Sequence, residues 1–387
     1  MKRRDFLYIT AGGIAITAAA STGMGCAAKR HPLATAPEKT VAVPGLDADG
    51  MQILHYASLA PSSHNSQPWY VQVQDAHTWI IGWDAQRRLP VVDPDGREML
   101  LSLGCFVENL VQAAGALGYE ASVDITAKDM ACSDVATVRL KKATASAVPL
   151  ERITRRRTLR KHYLNTPIED KHLGALMAPL AGECAFFRPG EPQTAWLQTA
   201  VLESFTRQTW NRHAQKELAQ WIRFRTLDAE KLRDGLTSAT MEIDGFAGFW
   251  VRTFMNSDDV TGESFRQKGI DLTAEQVKQG GGWLAITSKG ESPADLLDAG
   301  RRYEALCLLL REQGIAAHPM SQMLEEKPWR NQVTTELGLG ERRVQFVLRL
   351  GYVEKYPEPV SLRRPVQEFI LGNETQTPAD TKTGNTG

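Results

Sequence analysis

Cysteine is scarce in this chain, and neither sign of charge predominates. Only five of the 387 residues are Cys, and 45 Lys and Arg are matched by 45 Asp and Glu. The balanced charge argues against a nucleic-acid-binding surface, which needs an excess of basic residues. Apart from Cys26, the cysteines are Cys105, Cys132, Cys184 and Cys307, and no pair has the C-x-x-C spacing typical of metal ligands. The first and last of these four lie in apolar helical runs, which predicts buried thiols. The sequence alone leaves open whether any two of these cysteines form a disulfide.

Other familiar signatures are missing as well. The sequence contains no P-loop, no Ser-His-Asp signature and no metal-ligand cluster. Its amino-terminal apolar run, residues 8–20, contains two glycines and is shorter than the roughly 20 residues that a membrane span needs. The remaining composition, 42% hydrophobic and 23% charged, is that of an ordinary soluble protein of about two domains.

The two ends of the chain differ from the middle. Residues 2–7 read KRRDFL ahead of the weakly apolar run, and this arrangement resembles a twin-arginine export signal. It predicts a signal peptide over residues 1–28, a Pro- and Ala-rich linker over 29–46, and a periplasmic or other extracytoplasmic location. Cys26 is a candidate for a lipid anchor that tethers the protein to a membrane, although GMG before it lacks the usual Leu. Residues 371–387 are polar and are expected to be disordered.

The two halves of the chain share a weak repeat. Residues 100–104 (LLSLG) align with 296–300 (LLDAG), and the same offset of 196 relates Glu108 to Glu304. Both segments have apolar residues at helical spacing and both helical patterns stop at a Gly. We therefore expect two long, nearly apolar helices that lie against each other in the centre of a two-fold arrangement.

A shorter helical pattern repeats in the same way. Residues 49–60 match residues 170–181, and both segments end in Leu-Ala. Together with the long helices, this pattern predicts a first half over 47–150 and a second half over 151–370.

The polar motifs are not repeated. In the first half, residues 57–69 read ASLAPSSHNSQPW, an uncharged loop of hydrogen-bond donors and acceptors set between prolines. The second half instead has RRRTLR at 155–160, GIAAHPM at 314–320 and SLRRP at 361–365. Each half contains what the other lacks, which favours one pocket shared between them.

These motifs resemble those of the nitroreductase family of flavoproteins. The loop at 57–69 is similar to the loop by which that family holds FMN across a subunit interface. The run at 156–160 resembles the family's Arg-Arg-Ser-x-Arg opening, and Arg363 with Arg364 resembles its late Arg. The resemblance implies an α+β protein, a nitroreductase fold duplicated in tandem, with two mainly antiparallel sheets flanked by helices. The fused halves would form an intramolecular pseudo-dimer that is a monomer in solution.

The resemblance also implies how FMN is held. Guanidinium groups neutralise a phosphate with charge-assisted hydrogen bonds, and backbone amides near the ring stabilise reduced flavin. The implied cofactor-binding residues are Ser62, Ser63, Asn65 and Gln67 for the ring or ribityl chain, Arg156, Arg157, Thr158 and Arg160 for the phosphate and pyrimidine edge, Ala317, His318, Pro319 and Met320 along the flavin, and Arg363 and Arg364 for the phosphate. No catalytic side chain is assigned, because flavin chemistry asks little of side chains.

Strands are expected at residues 69–73, 79–83, 137–140 and 344–350. Residues 241–282, rich in Phe, Trp and Gly, have no counterpart in the first half and are interpreted as a mobile lid. Tandem halves, a single pocket and a lid resemble the Acg-type branch of the nitroreductase superfamily, for which flavin sequestration has been proposed.

Two functions follow from this resemblance. The first is an exported FMN-dependent oxidoreductase that transfers electrons or hydride to a small aromatic or quinone-like acceptor. Its unidentified donor would not be free NAD(P)H, which the periplasm lacks. The alternative is a flavin-storage protein with little turnover. A degenerate scaffold that binds no flavin is a third interpretation.

Overall fold

Two separate β-sheets and the helices around them form the computed structural model, which describes residues 43–371. The predicted export signal, most of the predicted linker and nearly all of the predicted carboxy-terminal tail lie outside the described residues.

The helices are α1 (Ala48–Ser58), α2 (Arg97–Ala116), α3 (Glu151–Arg155), α4 (Asp170–Met177), α5 (Pro192–Trp210), α6 (Arg212–Trp221), α7 (Thr226–Leu232), α8 (Gly245–Phe254), α9 (Ser257–Val260), α10 (Glu263–Gln276), α11 (Pro293–Leu310) and α12 (Lys327–Glu336). The strands are β1 (Trp69–Asp75), β2 (Thr78–Trp83), β3 (Tyr119–Ile125), β4 (Asp134–Lys142), β5 (Cys184–Phe187), β6 (Gly282–Ser288), β7 (Ile315–Pro319), β8 (Arg343–Tyr352) and β9 (Ile370–Leu371).

The first half contributes most of one sheet, in the order β3-β4-β2-β1-β9. Strands β1 and β2 form an antiparallel hairpin in which Trp69 pairs with Trp83, and β4 continues the antiparallel order beside β2. Along β3 every second residue is exposed, as expected of a strand with one face in solvent.

The second half forms the other sheet, in the order β5-β6-β8-β7, with every pairing antiparallel. All seven residues of β6 are buried, as in a strand covered on both faces. The four strands expected from the sequence are confirmed as β1, β2, β4 and β8. The α+β class with two mainly antiparallel sheets flanked by helices is also confirmed.

Helices α2 and α11 are the two long helices expected from the repeat, and they lie against each other. Helix α11 begins with Ser292 and Asp295, which cap each other's backbone N–H groups, and with Pro293 in the first turn. By length and composition α2 could cross a membrane, but most of it is buried inside the protein, as in the core helix of a folded domain.

Glycines at equivalent positions allow the two helix backbones to touch. A Cβ added to Gly104 would clash with the carbonyl oxygen of Leu297, and a Cβ added to Gly300 would clash with the carbonyl oxygen of Leu101. The two contacts are related by the offset seen in the sequence, so the interface has the reciprocal pattern of a two-fold axis. This reciprocity supports the interpretation of the chain as a duplicated, internally paired fold.

The chain crosses between the halves at its carboxy-terminal end. Strand β9 follows all of the second half, yet it pairs in parallel with β1, Val71 opposite Ile370. The preceding carbonyl of Phe369 accepts a hydrogen bond of 2.8 Å from the N–H of Val71. The first sheet is therefore completed by the end of the second half.

The two halves differ most between their first two strands. In the first half β1 leads directly into β2, whereas α5 to α10 lie between β5 and β6. The lid predicted at 241–282 covers only the later part of this insertion, namely α8 to α10. Helix α8 exposes large aromatic side chains, among them Phe246 and Phe249.

The four cysteines of the described residues are free thiols. Cys105 on α2 and Cys307 on α11 are buried, which confirms the expectation from their apolar surroundings.

Candidate functional site

A cleft between the two halves gathers residues from segments that are far apart in the sequence. It has about 740 Å³ of empty space, part of which is open to solvent. Its walls are Leu59, Pro61, Ser62, His64, Asn65, Ile153, Arg156, Arg157, Thr158, Arg160, Leu236, Thr240, Pro359, Val360, Ser361 and Arg363. The cleft therefore unites the uncharged loop with both arginine clusters.

The loop after α1 has an unusual backbone. His64, Asn65 and Gln67 all have positive φ, between 52° and 53°, a region that non-glycine residues rarely occupy. Strain of this kind costs about 1–3 kcal/mol per residue and persists only where the surroundings impose it. Ser62 imposes part of it, because its Oγ accepts a hydrogen bond of 2.9 Å from the N–H of Gln67.

Asn65 ties the loop to two distant segments. Its Nδ2 donates to the carbonyl oxygen of Gly235 at 3.0 Å and to that of Leu362 at 3.2 Å. Its buried Oδ1 has no hydrogen-bond partner among the described residues. The loop is thus fixed in place while one acceptor faces no protein donor.

Two arginines are held by the carboxy-terminal end of α1. Arg156 donates from Nη2 to the carbonyl oxygen of Leu59 at 3.3 Å, and Arg363 donates from Nη2 to the carbonyls of Leu59 and Ala60 at 3.2 and 3.1 Å. The carboxy-terminal end of a helix carries partial negative charge, so it stabilises cations there. A carboxylate adds to this, since Arg156 Nε lies 3.2 Å from Glu304 Oε1.

The other cationic side chains of the cleft are bonded to loop carbonyls. Arg157 donates from Nη1 to the carbonyl of Glu358 at 2.6 Å, and Arg160 donates from Nη1 to the carbonyl of Thr240 at 2.9 Å. The backbone N–H of Arg160 also donates to the Glu242 carboxylate at 2.9 Å. Each guanidinium is therefore positioned by backbone groups as well as by its own helix or loop.

The cleft holds more buried positive charge than negative charge. Burial, and then the neighbouring Arg156, lower the pKa of Arg363 to about 9, and burial lowers the pKa of Arg157. Burial has the largest single effect on Arg156 and disfavours its charge, but Glu304, Cys307, Tyr303 and Cys105 together raise the pKa of Arg156. The Nε of Arg363 is buried without a hydrogen-bond partner in residues 43–371. An anion with several acceptor oxygens would neutralise the excess positive charge and accept a hydrogen bond from the Nε of Arg363.

Two histidines near the arginines are held neutral. Burial and the charge of Arg160 lower the pKa of His64 to about 4, and burial, Arg160 and Arg349 lower the pKa of His318 well below its usual value. The Nδ1 of His64 is buried and has no hydrogen-bond partner in the described chain. At neutral pH these rings can orient a ligand by hydrogen bonding, but they carry no charge.

Half of the residues predicted from the sequence line the cleft and half lie elsewhere. Those in the wall are Ser62, Asn65, Arg156, Arg157, Thr158, Arg160 and Arg363. Those outside it are Ser63, Gln67, Ala317, His318, Pro319, Met320 and Arg364, and their predicted contacts with FMN stay predictions.

The residues outside the wall have their own partners. Ala317 and His318 lie within β7, where they pair with Leu350 and Arg349 of β8. Arg364 donates from Nη2 to the carbonyls of Gln67 and Trp69, at 2.7 and 3.0 Å. The hydrogen bonds from Arg364 therefore stabilise the loop after α1, although Arg364 is not part of the cleft wall.

Sequence reasoning missed one wall of the cleft. We call residues 233–244, between α7 and α8, the strap. Leu236 and Thr240 of the strap line the cleft. Asp234 of the strap is held by Arg87 at 2.9 Å and by Arg223 at 2.7 Å. Only the unusual aromatic and glycine content just beyond the strap indicated that this region covers a site.

Comparison with known proteins gives similarity along most of the chain. The chain is 25% identical over 333 residues to "Putative NAD(P)H nitroreductase Rv3131" of Mycobacterium tuberculosis, covering 82% of this chain and 90% of the relative. It is 27% identical over 294 residues to "Probable NAD(P)H nitroreductase PigM" of Serratia sp., covering 70% and 79%. A stretch of 68 residues is 41% identical to "Putative NAD(P)H nitroreductase acg" of Mycobacterium tuberculosis, covering 18% of this chain and 20% of the relative.

Solved structures match more loosely, and no protein-family model matches the chain. The FMN-dependent nitroreductase NfnB of Mycobacterium smegmatis, in complex with NADPH, gives a TM-score of 0.33 at 13% identity, covering 54% of this chain and 92% of that one. A nitroreductase-like family protein of Bacillus cereus gives a TM-score of 0.32 at 12% identity, covering 58% and 96%. No functional conclusion is taken from similarity at this level. Over most of its length the chain is therefore similar in sequence to proteins named as putative or probable NAD(P)H nitroreductases.

Proposed function

We propose that this chain binds FMN in the cleft and acts as a nitroreductase-like oxidoreductase on a small aromatic or quinone-like acceptor. One observation carries the proposal: the buried guanidinium groups of Arg156 and Arg363 converge with the uncharged loop around Asn65 in the same cleft. The guanidinium groups suit the phosphate. The uncharged loop suits the edge of a flavin ring, which both donates and accepts hydrogen bonds.

The described residues fit FMN in their chemistry. Arg156, Arg157 and Arg363 would hold the phosphate, because their guanidinium groups are cationic and the Nε of Arg363 has no acceptor among residues 43–371. Ser62 and Asn65 would bond the ring or the ribityl chain, since Asn65 Oδ1 is a buried acceptor to which no described residue donates.

When bound, FMN would supply the redox chemistry by accepting and releasing electrons or hydride. The chain itself would bind, orient and shield it. Arg160 would add positive charge near the reduced ring, where charge-stabilising groups favour the anionic form. His64 and His318 would stay neutral and donate or accept hydrogen bonds rather than supply protons.

The proposal is tested by FMN affinity. Loss of one charge-assisted hydrogen bond costs about 1.5–3 kcal/mol, and about 1.4 kcal/mol corresponds to a tenfold change in affinity. We therefore expect Arg157→Ala to raise the dissociation constant for FMN about tenfold or more, as measured by quenching of flavin fluorescence. The neighbouring Arg155, which is exposed, provides the control, and Arg155→Ala should bind FMN like the wild type. A wild-type protein that stays colourless and leaves FMN fluorescence unchanged would refute the proposal.

A second function, flavin storage, is favoured by the strap. Asn65 and Gly235 exchange two hydrogen bonds, 3.0 Å from the side chain and 3.1 Å between backbones, and Gln67 Nε2 donates to the carbonyl of Arg233 at 2.9 Å. Lys161 adds a hydrogen bond of 2.6 Å to the carbonyl of Glu242. A wall held this firmly would deny a second substrate access to the ring.

Anaerobic stopped-flow reduction separates the two functions. Rapid flavin reduction by NADH or NADPH would favour the reductase, as the names of the relatives suggest. Reduction by dithionite alone would favour storage or an unidentified donor. Asp234→Asn removes the carboxylate that both Arg87 and Arg223 hold, so it should loosen the strap and speed reduction only if the strap limits access.

We also propose that the protein is exported in its folded state and works outside the cytoplasm. The support is the KRRDFL motif, since the twin-arginine route carries folded proteins with their cofactors. Replacement of Arg3 and Arg4 by Lys should retain the protein in the cytoplasmic fraction. Labelling with a fatty acid would show whether Cys26 is lipidated.

A further inference from the structure

A carboxylate lies buried directly beneath the arginines of the cleft. Glu304, on α11, has no exposed side-chain surface, and its Oε1 lies 3.2 Å from Arg156 Nε. Burial raises the pKa of Glu304 to about 7, although the charge of Arg156 opposes this shift. Neither oxygen has a hydrogen bond of good geometry within the described residues, although the side chain of Asn109 is near enough to lower the pKa of Glu304. Small changes in nearby charge therefore decide whether this group is ionised near neutral pH.

The groups that face Glu304 come from three directions. They are Cys105, Glu108 and Asn109 on α2, Tyr303 and Cys307 on its own helix, and Arg156 and Arg363 from the loops that line the cleft. Among them only the two arginines are cations, and Glu108 is paired with Arg301 at 3.1 Å. The ionised form of Glu304 thus depends on the two guanidinium groups that an anion in the cleft would use.

A phosphate dianion on Arg156 and Arg363 would compete for this charge. Arg156 has one carboxylate partner within residues 43–371, which is Glu304, and Arg363 is bonded to backbone carbonyls. If a dianion bound Arg156 from the cleft, the Arg156 charge would be more than balanced by the phosphate. The ionised carboxylate of Glu304, buried on the other side of Arg156, would then lie near a group of net negative charge. Like charges raise the pKa of a carboxylate, so its protonated form becomes the stable one.

We propose that Glu304 is a positioning residue for Arg156 and that it takes up one proton from solvent when a phosphate dianion enters the cleft. While the cleft is empty, the ionised carboxylate holds the Arg156 guanidinium against the end of α1. When the phosphate binds, the Arg156 guanidinium pairs with the phosphate, and Glu304 takes up a proton and becomes neutral. The step moves one proton and no electrons. It rests on the proposed function, since FMN is the phosphate carrier expected there.

The inference predicts that FMN binding weakens as pH rises. A phosphate monoester loses its second proton near a pKa of about 6, so from pH 7 upward the ligand is already mostly a dianion. The pKa of Arg363, about 9, keeps this side chain cationic at the same pH. If the free carboxylate has a pKa of about 7 and the bound one a much higher pKa, the dissociation constant rises roughly fivefold from pH 7 to pH 8.

The test is isothermal titration calorimetry of the flavin-free full chain with FMN at pH 7.5, in two buffers of different ionisation enthalpy. The wild type should take up about three-quarters of a proton for each FMN bound. Glu304→Gln should take up almost none and should bind FMN with nearly the same affinity at pH 7 and pH 8. Glu203→Gln is the control, because Glu203 is an exposed carboxylate on α5 that is not part of the cleft wall, and it should behave like the wild type.

Riboflavin provides a control that needs no variant. It has the same ring and ribityl chain but no phosphate, so the wild type should bind it without proton uptake. Equal uptake with FMN and riboflavin, or equal uptake in the wild type and Glu304→Gln, would overturn the inference while leaving FMN binding intact. Absence of any FMN binding by the wild type would instead overturn the proposed function itself, and this inference with it.

Discussion

Two single residues near the cleft, His64 and His318, are held by the fold in states that cost free energy. His64 combines a left-handed backbone with a half-buried ring that is held neutral, and His318 is buried beside Arg349. Both side chains would be charged in the unfolded chain at mildly acidic pH. The price of neutrality is therefore a stability that depends on pH.

This dependence has a definite sign. The pKa of His64 falls from about 6.5 to about 4 on folding, so the unfolded state binds more protons between these values. Its contribution to stability is present above pH 6.5 and is lost as pH falls toward 4, by about 2–3 kcal/mol.

The expected result is a smaller acid-induced loss of stability in His64→Asn than in the wild type, measured by urea unfolding at pH 7.5 and pH 5. Asn tolerates the left-handed backbone and does not titrate. His213→Asn, at an exposed site on α6, serves as the control and should follow the wild type. Parallel pH profiles for the wild type and His64→Asn would show that this histidine is not held neutral.

At the scale of elements, the contact between α2 and α11 has no room for a side chain at Gly104 or Gly300. Gly300→Ala places a methyl group against the Leu101 carbonyl and 3.0 Å from the Cα of Gly104, so one helix backbone must move. Overpacking of this kind typically costs about 1–3 kcal/mol. We expect a loss of stability of at least about 2 kcal/mol by urea unfolding, with a similar loss for Gly104→Ala.

A third helical glycine gives the matched control. Gly174 on α4 is exposed, with nothing within 4 Å of an added Cβ. Because Ala favours a helix over Gly by about 0.8–1.0 kcal/mol, Gly174→Ala should stabilise the protein. If all three substitutions had the same effect, backbone contact between α2 and α11 would not explain these glycines.

The elements that the sequence could predict are those with strong periodicity. The long helices and strands β1, β2, β4 and β8 have apolar patterns that match their burial. Strand β6 was not expected, because its first residue belongs to the glycine run that closed the predicted lid. Strand β9 has two residues, too few for any pattern, and its pairing depends wholly on a distant partner.

Within the cleft, the motifs with distinctive chemistry could be predicted and the supporting residues could not. Arg156, Arg157 and Arg363 could be predicted because the runs that contain them resemble motifs of the nitroreductase family. Leu236 and Val360 are ordinary apolar residues, and only the tertiary fold places them in the wall. Glu304 was visible as one member of a repeat, but its burial beneath Arg156 was not.

At the scale of the whole molecule, residues from both halves line the cleft. The loop after α4 in the second half reads AGEC at 181–184 and has none of the polar residues found after α1. We therefore expect one FMN per chain, from flavin absorbance and protein quantitation, on a monomer with a solution mass near 42.8 kDa. Two FMN per chain, or a mass near twice that value by size-exclusion chromatography with light scattering, would contradict this.

The exchange of β9 has a consequence for how the polypeptide is made. A ribosome synthesises β9 only after all the other described strands of both sheets, although β9 pairs with β1, the first of them. Until then one edge of the first sheet exposes unpaired backbone, the situation in which nascent chains associate wrongly with one another. We therefore expect the yield of correctly folded protein to depend on the supply of chaperones that shield such edges, and not on the rate of synthesis.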